Sequence, residues 1–314
     1  MKRREFIIKS STLTTAFAFS GLTSLSTAGC GPKKKSFRIS LAQWSLHRSL
    51  RSKIIDHLDF ITITRTKFDI DAVEYVNTFF FDKAEDIDFL NQMNLRANDN
   101  GIKNLLIMCD AEGDLGDPNK LKRKKSVENH HKWVNAAKYL GCHSIRVNAR
   151  SSGERQISYE DQQKYALDGL QKLAEYAKEV EINIIVENHG GLSSNGKWLS
   201  EIMNMASDSS IGTLPDFGNF KINENDWYDR YQGVDELMPY AKAVSAKSHD
   251  FDSNGNEIHT DYFKMMDIII KENYSGYVGI EYEGQSSNEM EGIRLTKILL
   301  EKIQALKMKN ESKV

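Results

Sequence analysis

Four short apolar runs in the second half of the chain each end in residues able to do chemistry. The first reads Ile184-Ile185-Val186-Glu187-Asn188-His189, and the second Thr213-Leu214-Pro215-Asp216-Phe217-Gly218-Asn219. The third reads Val244-Ser245-Ala246-Lys247-Ser248-His249-Asp250, and the fourth Tyr277-Val278-Gly279-Ile280-Glu281-Tyr282-Glu283. Extended backbone alternates its side chains, so Ile185 and Glu187 share a face, as do Gly279, Glu281 and Glu283. Carboxylates that converge on one point repel strongly unless a cation or a proton lies between them. Asp and Glu oxygens joined by a His nitrogen suit one divalent metal ion (Mn, Mg, Co or Zn) rather than copper or an iron–sulfur centre. Such an ion can polarise a carbonyl and its neighbouring hydroxyl, stabilising the enediolate left when the α-proton leaves. Glutamates on opposite sides of that carbon can remove and return the proton. Taken singly, a strand-end carboxylate is more often a loop salt bridge or a helix cap than a ligand. Four in succession favour a metal site.

Such a cluster needs a frame that gathers several strand ends. From Phe37 onward, short apolar runs alternate with amphipathic stretches. Candidate strands are Phe37–Ser45, Ala72–Val76, Asn104–Cys109, Ser144–Asn148, Asn183–Glu187, Gly212–Asp216, Ala243–Lys247 and Val278–Tyr282. Between them lie helical patterns such as Tyr159–Val180, where Leu170, Leu173, Ala174 and Ala177 share a face. Ser158, with Asp161 three residues on, offers its N-cap. Glu289–Leu306 repeats the pattern with Ile293, Ile298, Leu299 and Ile303. Eight βα units without a Pro- or Gly-rich linker predict one α/β domain over residues 37–310, a (β/α)8 TIM barrel. An open doubly wound sheet is the alternative. In a barrel, chemistry sits where the strands end, which is where the four runs place it. Gly279, below two carboxylates, would leave room in the mouth. Lys122–Lys125 reads as the solvated start of a helix, and the loop Cys109–Lys120 is long enough for a lid.

Residues 1–29 are set apart from the fold. Lys2, Arg3 and Arg4 precede an uncharged, small-residue-rich stretch from Ser10 to Gly29 that ends at Cys30. The pattern predicts an export signal of twin-arginine and lipoprotein type, with Cys30 lipidated and residues 30–36 a tether. A transmembrane helix is the alternative, disfavoured by the Ser and Thr content. Thr27 is unusual three residues before the cysteine, and the twin-arginine spacing is one residue off. The protein is thus expected to be exported to the periplasm, meeting a membrane only through its lipid anchor. Without the signal, the net charge falls from −2 to about −5, which argues against nucleic acid as a partner. Cys109 and Cys142 lie in or beside apolar segments and read as buried free thiols. No P-loop, GxGxxG or HExxH occurs.

From Phe37 to about Leu306 the chain resembles the sugar phosphate isomerase/epimerase group of xylose-isomerase-like barrels, which also includes endonuclease-IV-type and inosose dehydratase proteins. The resemblance rests on Val186-Glu187-Asn188, the Asp216 strand end, Ala246-Lys247 and the closing Gly276–Glu283 segment. It implies a metal held by Glu187, Asp216 and Glu281, with both glutamates doubling as acid and base. Strand seven departs from the pattern, because Ser245 stands where the group has its histidine. His249, further along the same face, either reaches in as the missing ligand or is a loop residue; without it, three carboxylates favour Mg or Mn. Lys247 either polarises a substrate oxygen or pairs with a carboxylate. Trp44, which closes strand one with Gln43, either stacks on a sugar face or packs in the barrel. Arg146, His189, Asn219 and Glu283 complete the substrate-binding candidates, while Glu74 and Asn148 line the pocket or pair internally. The resemblance implies an isomerase or epimerase of a free or keto-sugar acting through an enediolate. A keto-sugar lyase, dehydratase or hydratase on the same metal, and a non-catalytic glycan-binding lipoprotein, are the alternatives, the last kept open by Ser245. Self-association into a homo-oligomer stays open.

Overall fold

The computed structural model describes residues 37–151 and 156–311, and the export signal, tether and Cys30 lie outside these described residues. Ten strands occur in chain order: β1 Arg38–Ala42, β2 Ala72–Val76, β3 Lys103–Met108, β4 Ser144–Val147, β5 Asn183–Glu187, β6 Ile211–Leu214, β7 Lys221–Asn223, β8 Asp226–Trp227, β9 Val244–Ser248 and β10 Tyr277–Tyr282. The helices are α1 His47–Arg51, α2 Asp59–Phe68, α3 Ile87–Asn100, α4 Lys120–Leu140, α5 Tyr159–Lys178, α6 Gly196–Ala206, α7 Arg230–Leu237, α8 Tyr262–Lys271 and α9 Glu289–Glu311.

Eight strands form one parallel sheet in the order β6-β5-β4-β3-β2-β1-β10-β9. Its two edges meet. Beyond β6, Ser245 N donates to Pro215 O (2.9 Å), Phe217 N to Ser245 O (3.1 Å) and Lys242 N to Thr213 O (3.0 Å). These bonds close the sheet into a TIM barrel and exclude the open doubly wound sheet. Alternation sorts β5 as expected: Ile185 joins Ala42, Leu106, Met108 and Leu214 inside the barrel, while Ile184 and Val186 face the helices. The outer shell holds most of the buried apolar residues, among them Trp133, Trp198 and Leu170.

Strand cores match the sequence reading, but their ends shift for local reasons. β1 stops at Ala42 because the chain turns into a short 3-10 segment, Gln43–Leu46. There the Gln43 side chain accepts from Val76 N, and Ser45 Oγ both donates to Ile280 O and accepts from Tyr282 N. β6 stops at Leu214 because Pro215 has no N–H for the ladder. Asn188 then stitches across, accepting from Asp216 N (2.8 Å) and donating to Asp216 O (3.0 Å). In α5 the Ser158 hydroxyl caps Asp161 N, and Leu170, Leu173, Ala174 and Ala177 are buried as expected. Cys109 and Cys142 are buried free thiols.

Three sequence expectations need correction. Arg123, within the supposedly solvated Lys122–Lys125 run, is buried, with Nε 2.6 Å from Asp168 Oδ2 and a bond to Asp117 O. The loop from Cys109 to Lys120 is not an open lid, since Leu115 is fully buried and buried Glu112 accepts from Trp133 Nε1. The space beside Gly279 is taken by Glu74: a Cβ on Gly279 would lie 2.5 Å from Glu74 Oε1.

Candidate functional site

Strand register assembles the site. Glu281 on β10 is paired with Lys247 on β9, so their side chains leave the same face side by side. Lys247 Nζ stands 2.8 Å from Glu281 Oε1 and 3.0 Å from Glu283 Oε2. Asp216 lies beside Ser245 across the barrel closure, and the Ser245 hydroxyl donates to Asp216 Oδ2 at 2.6 Å. The other oxygen of Asp216 accepts from Gly218 N and Asn219 N, both at 2.8 Å, which fixes the carboxylate through its own turn. Asn219 Nδ2 donates to Glu187 Oε1 at 2.9 Å and ties β5 to that turn. Arg146 on β4 places Nε 2.8 Å from Glu187 Oε2 and donates from NH1 to Asp110 Oδ1 at 2.8 Å.

Glu187, Asp216 and Glu281 each offer an oxygen within 4.8 Å of the other two, and all three are buried. Among the described residues, this is the group of His, Cys, Asp and Glu side chains able to hold a metal ion. His249 does not join it. The imidazole sits at the rim, with Nε2 3.9 Å from Glu283 Oε2 and its ring edge-on to His259. Ser245 occupies the inner position on that strand as a donor to Asp216. His189, Asn219, Lys247, His249 and Glu283 line a cavity of about 730 Å³ at the C-terminal mouth of the barrel. Trp44 and Arg146 lie outside its lining. Trp44 donates from Nε1 to Glu283 Oε1 and stacks on His47, and Arg146 is almost fully buried between Asp110 and Glu187. Trp44 therefore packs at the barrel mouth and also holds a rim carboxylate.

Charge dominates this region. Five carboxylates (Asp110, Glu187, Asp216, Glu281 and Glu283) surround two cations, Arg146 and Lys247. Burial lifts Glu187 to about 7, with Glu281 and Asp110 adding to the effect and Arg146 and Lys247 opposing it. Burial likewise lifts Asp216 to about 7, against the pull of Lys247 and the Ser245 hydrogen bond. Burial works against the Lys247 ammonium, yet Asp216, Glu281, Glu283 and Glu187 hold it well above the usual lysine range. Burial lowers His189, with Arg146 and Lys247 adding to the effect, and burial lowers His249 against the pull of Glu283. Asp110 is the contrary case: burial raises it, but Arg146 overrides that and holds it at about 2.

Sequence reading did not single out Asp110, although it follows the apolar run of β3 just as Glu187 ends β5. The residue binds Arg146 and Asn148 and receives Asn77 through its main chain. Searching the ends of the first four strands for polar residues would have found both Asn77 and Asp110.

A closed parallel barrel with three buried carboxylates at its C-terminal mouth defines a class of protein: a barrel equipped to hold a divalent cation. Residues 66–306 match the model of the xylose isomerase-like TIM barrel family, and the chain belongs to that family. None of the curated proteins matches the sequence. Among solved structures, a D-tagatose 3-epimerase-like protein is 17% identical with a TM-score of 0.68, covering 88% of this chain and 100% of its own. A 3-keto-D-glucoside 4-epimerase from E. coli is 14% identical with a TM-score of 0.61, covering 85% and 100%. The IOLI protein, solved with a bound zinc atom, is 13% identical with a TM-score of 0.66, covering 85% and 98%.

Proposed function

We propose that this protein is a metal-assisted isomerase or epimerase of a free or keto-sugar, moving a proton at the carbon next to a carbonyl. The observation that carries the reading is the buried trio of Glu187, Asp216 and Glu281. The residues fit a divalent ion. Glu187 Oε2 is buried with only the Arg146 guanidinium, 2.8 Å away and not aligned for a hydrogen bond, beside it, and five carboxylates against two cations leave negative charge uncompensated. An all-oxygen donor set suits Mg or Mn better than Zn. When bound, such an ion would supply the positive charge that stabilises the oxygens of an enediolate. Glu187 and Glu281, on β5 and β10, then flank the reacting carbon as the proton-transfer pair. Asn219 orients Glu187, and Lys247 holds Glu281 and Glu283 while keeping a charged donor at the cavity floor. The fold likeness to two sugar epimerases supports the substrate class. The export signal in residues 1–29 and lipidation at Cys30 belong to the same proposal, and place the reaction in the periplasm.

Incubating the protein with ketoses and keto-sugars in deuterated water, followed by NMR, tests the chemistry. Deuterium is expected at the carbon next to the carbonyl in an isomerised or epimerised product. Glu187→Gln and Glu281→Gln should each slow exchange by about 10²–10⁴-fold, the usual worth of a positioned general base. Glu283→Gln, which removes the charge of a rim carboxylate bonded to Lys247 and Trp44, should stay within about tenfold. Products that have lost water would reassign the site to the dehydratase alternative. Sugar binding without any exchange would leave only the glycan-binding alternative.

A further inference from the structure

The cavity opens above the buried trio, whose carboxylates lie beneath its lining residues Asn219, Lys247 and Glu283. Lys247, Asn219 and Glu283 form its inner wall, and its outer wall carries Trp227 on the β7–β8 hairpin. Trp227 is 57% exposed, the largest aromatic side chain left open to solvent among the described residues, and no ring or cation packs on its indole there. Its backbone is nevertheless well anchored. Trp227 pairs with Lys221 across the hairpin. Its neighbour Tyr228 donates from N to Phe220 O at 2.9 Å and from Oη to Glu236 Oε2 at 2.8 Å, and Phe220 is fully buried. An indole costs free energy to hold in water, and here it is held at a fixed place on a cavity wall.

Resting on the isomerase/epimerase reading, we propose that the cavity takes a two-ring substrate, with the second sugar seated on the Trp227 indole. A volume of about 730 Å³ lies in the upper part of the range for small-molecule sites and leaves room beyond one hexose ring. The C–H face of a pyranose packs on an indole, while its hydroxyls face the polar groups at the rim, such as Gln285 and His259. The rim cations are already engaged: Lys221 with Glu224 at 3.0 Å, Arg150 with Asp114 at 3.1 Å, and Arg230 with the Thr260 hydroxyl. The outer wall therefore offers a stacking face and hydrogen bonds, with Lys221 and Arg150 paired to carboxylates and the Arg230 guanidinium bonded to a hydroxyl.

Matched probes test this: D-fructose against maltulose and isomaltulose, which carry a glucose unit on the same free ketose. Calorimetric affinity and deuterium exchange would be read on the wild type, Trp227→Ala and Trp227→Phe, with melting temperature and oligomeric state as controls. The wild type should bind a glucosylated ketose at least about tenfold better than fructose. Trp227→Ala should lose about threefold to tenfold of that affinity with fructose unchanged, and Trp227→Phe should keep most of it. Equal affinity for one-ring and two-ring probes, or an equal loss for both in Trp227→Ala, overturns the second-ring site. A Trp227→Ala effect confined to oligomeric state also overturns it. Exchange on fructose alone refutes this inference and leaves the isomerase reading standing, whereas no binding or exchange with any probe counts against both.

Discussion

Glu74 is a carboxyl placed where water cannot reach it. It is fully buried on β2 with Ser40 Oγ donating to one oxygen at 2.6 Å, while the other oxygen has no hydrogen-bond partner. Burial lifts it to about 8, with Glu281 and Glu187 pushing the same way and the Ser40 bond opposing. The group therefore keeps its proton at pH 7 when folded, but loses it near 4.5 in the unfolded chain. Between those values the unfolded state binds fewer protons, so stability falls as pH rises from about 4.5 to about 8. Glu74→Gln mimics the protonated form and removes that slope. In metal-free protein the variant should match wild type near pH 4.5 and exceed it by a few kcal/mol at pH 8 in denaturant melts. Parallel stability curves across this range would mean Glu74 is ionised in the folded state. Residues of this kind divide by how local their signal is. Glu187, Asp216 and Glu281 were legible because each closes its own apolar run. The bond of Ser245 to Asp216 and the pairing of Arg146 with Asp110 were not, because each depends on which residues face each other across two strands.

At the scale of elements, period-two and period-3.6 patterns located every barrel strand and the α5 and α9 helices. Element ends were less legible, since side-chain-to-backbone bonds set them: Gln43 to Val76 N, Ser45 to Ile280 O, Asn188 across Pro215. The loop between β3 and α4 shows a further limit. Its glycines and length read as a lid, yet Leu115 is clamped against α5 at Gly169. A Cβ on Gly169 would collide with the main-chain carbonyl of Leu115, and a backbone atom cannot swing aside as a flexible side chain can. Ala favours a helix over Gly by about 1 kcal/mol, so propensity alone predicts that Gly169→Ala stabilises α5. The clash should win, because overpacking a buried contact costs about 1–3 kcal/mol and here displaces a loop. Thermal melts of Gly169→Ala should show net destabilisation, together with faster proteolysis near Leu115. A stabilised variant would show that the loop moves freely off the helix.

Over the whole molecule, negative charge is concentrated at one place for which the barrel alone has no use. Two cations offset five carboxylates, and the remaining charge can be met only by protons or by a cation from solution. The lifted values of Glu187 and Asp216 describe the first answer, and the convergence of one oxygen each from Glu187, Asp216 and Glu281 within 4.8 Å allows the second. A ligand that binds only the folded state stabilises it by about 2.7 kcal/mol at a hundred times its Kd. In a chain of 314 residues, that raises Tm by roughly 4–5 °C. Mn or Mg should therefore raise the melting temperature of chelator-treated protein, and do so more at pH 8 than at pH 6, where protons compete for the same oxygens. Glu281→Gln and Asp216→Asn should weaken that response by an order of magnitude or more. The same titration decides the place of His249. Its imidazole stands with Glu283 at the rim, so His249→Ala should leave the Mn and Mg curves unchanged. A large loss of affinity in that variant would instead mean that the β9 loop folds inward when the ion arrives and restores a nitrogen ligand that Ser245 does not provide. If Mn, Mg, Co and Zn all fail to shift the melt, the trio is held by protons, Arg146 and Lys247, and the metal leaves the mechanism.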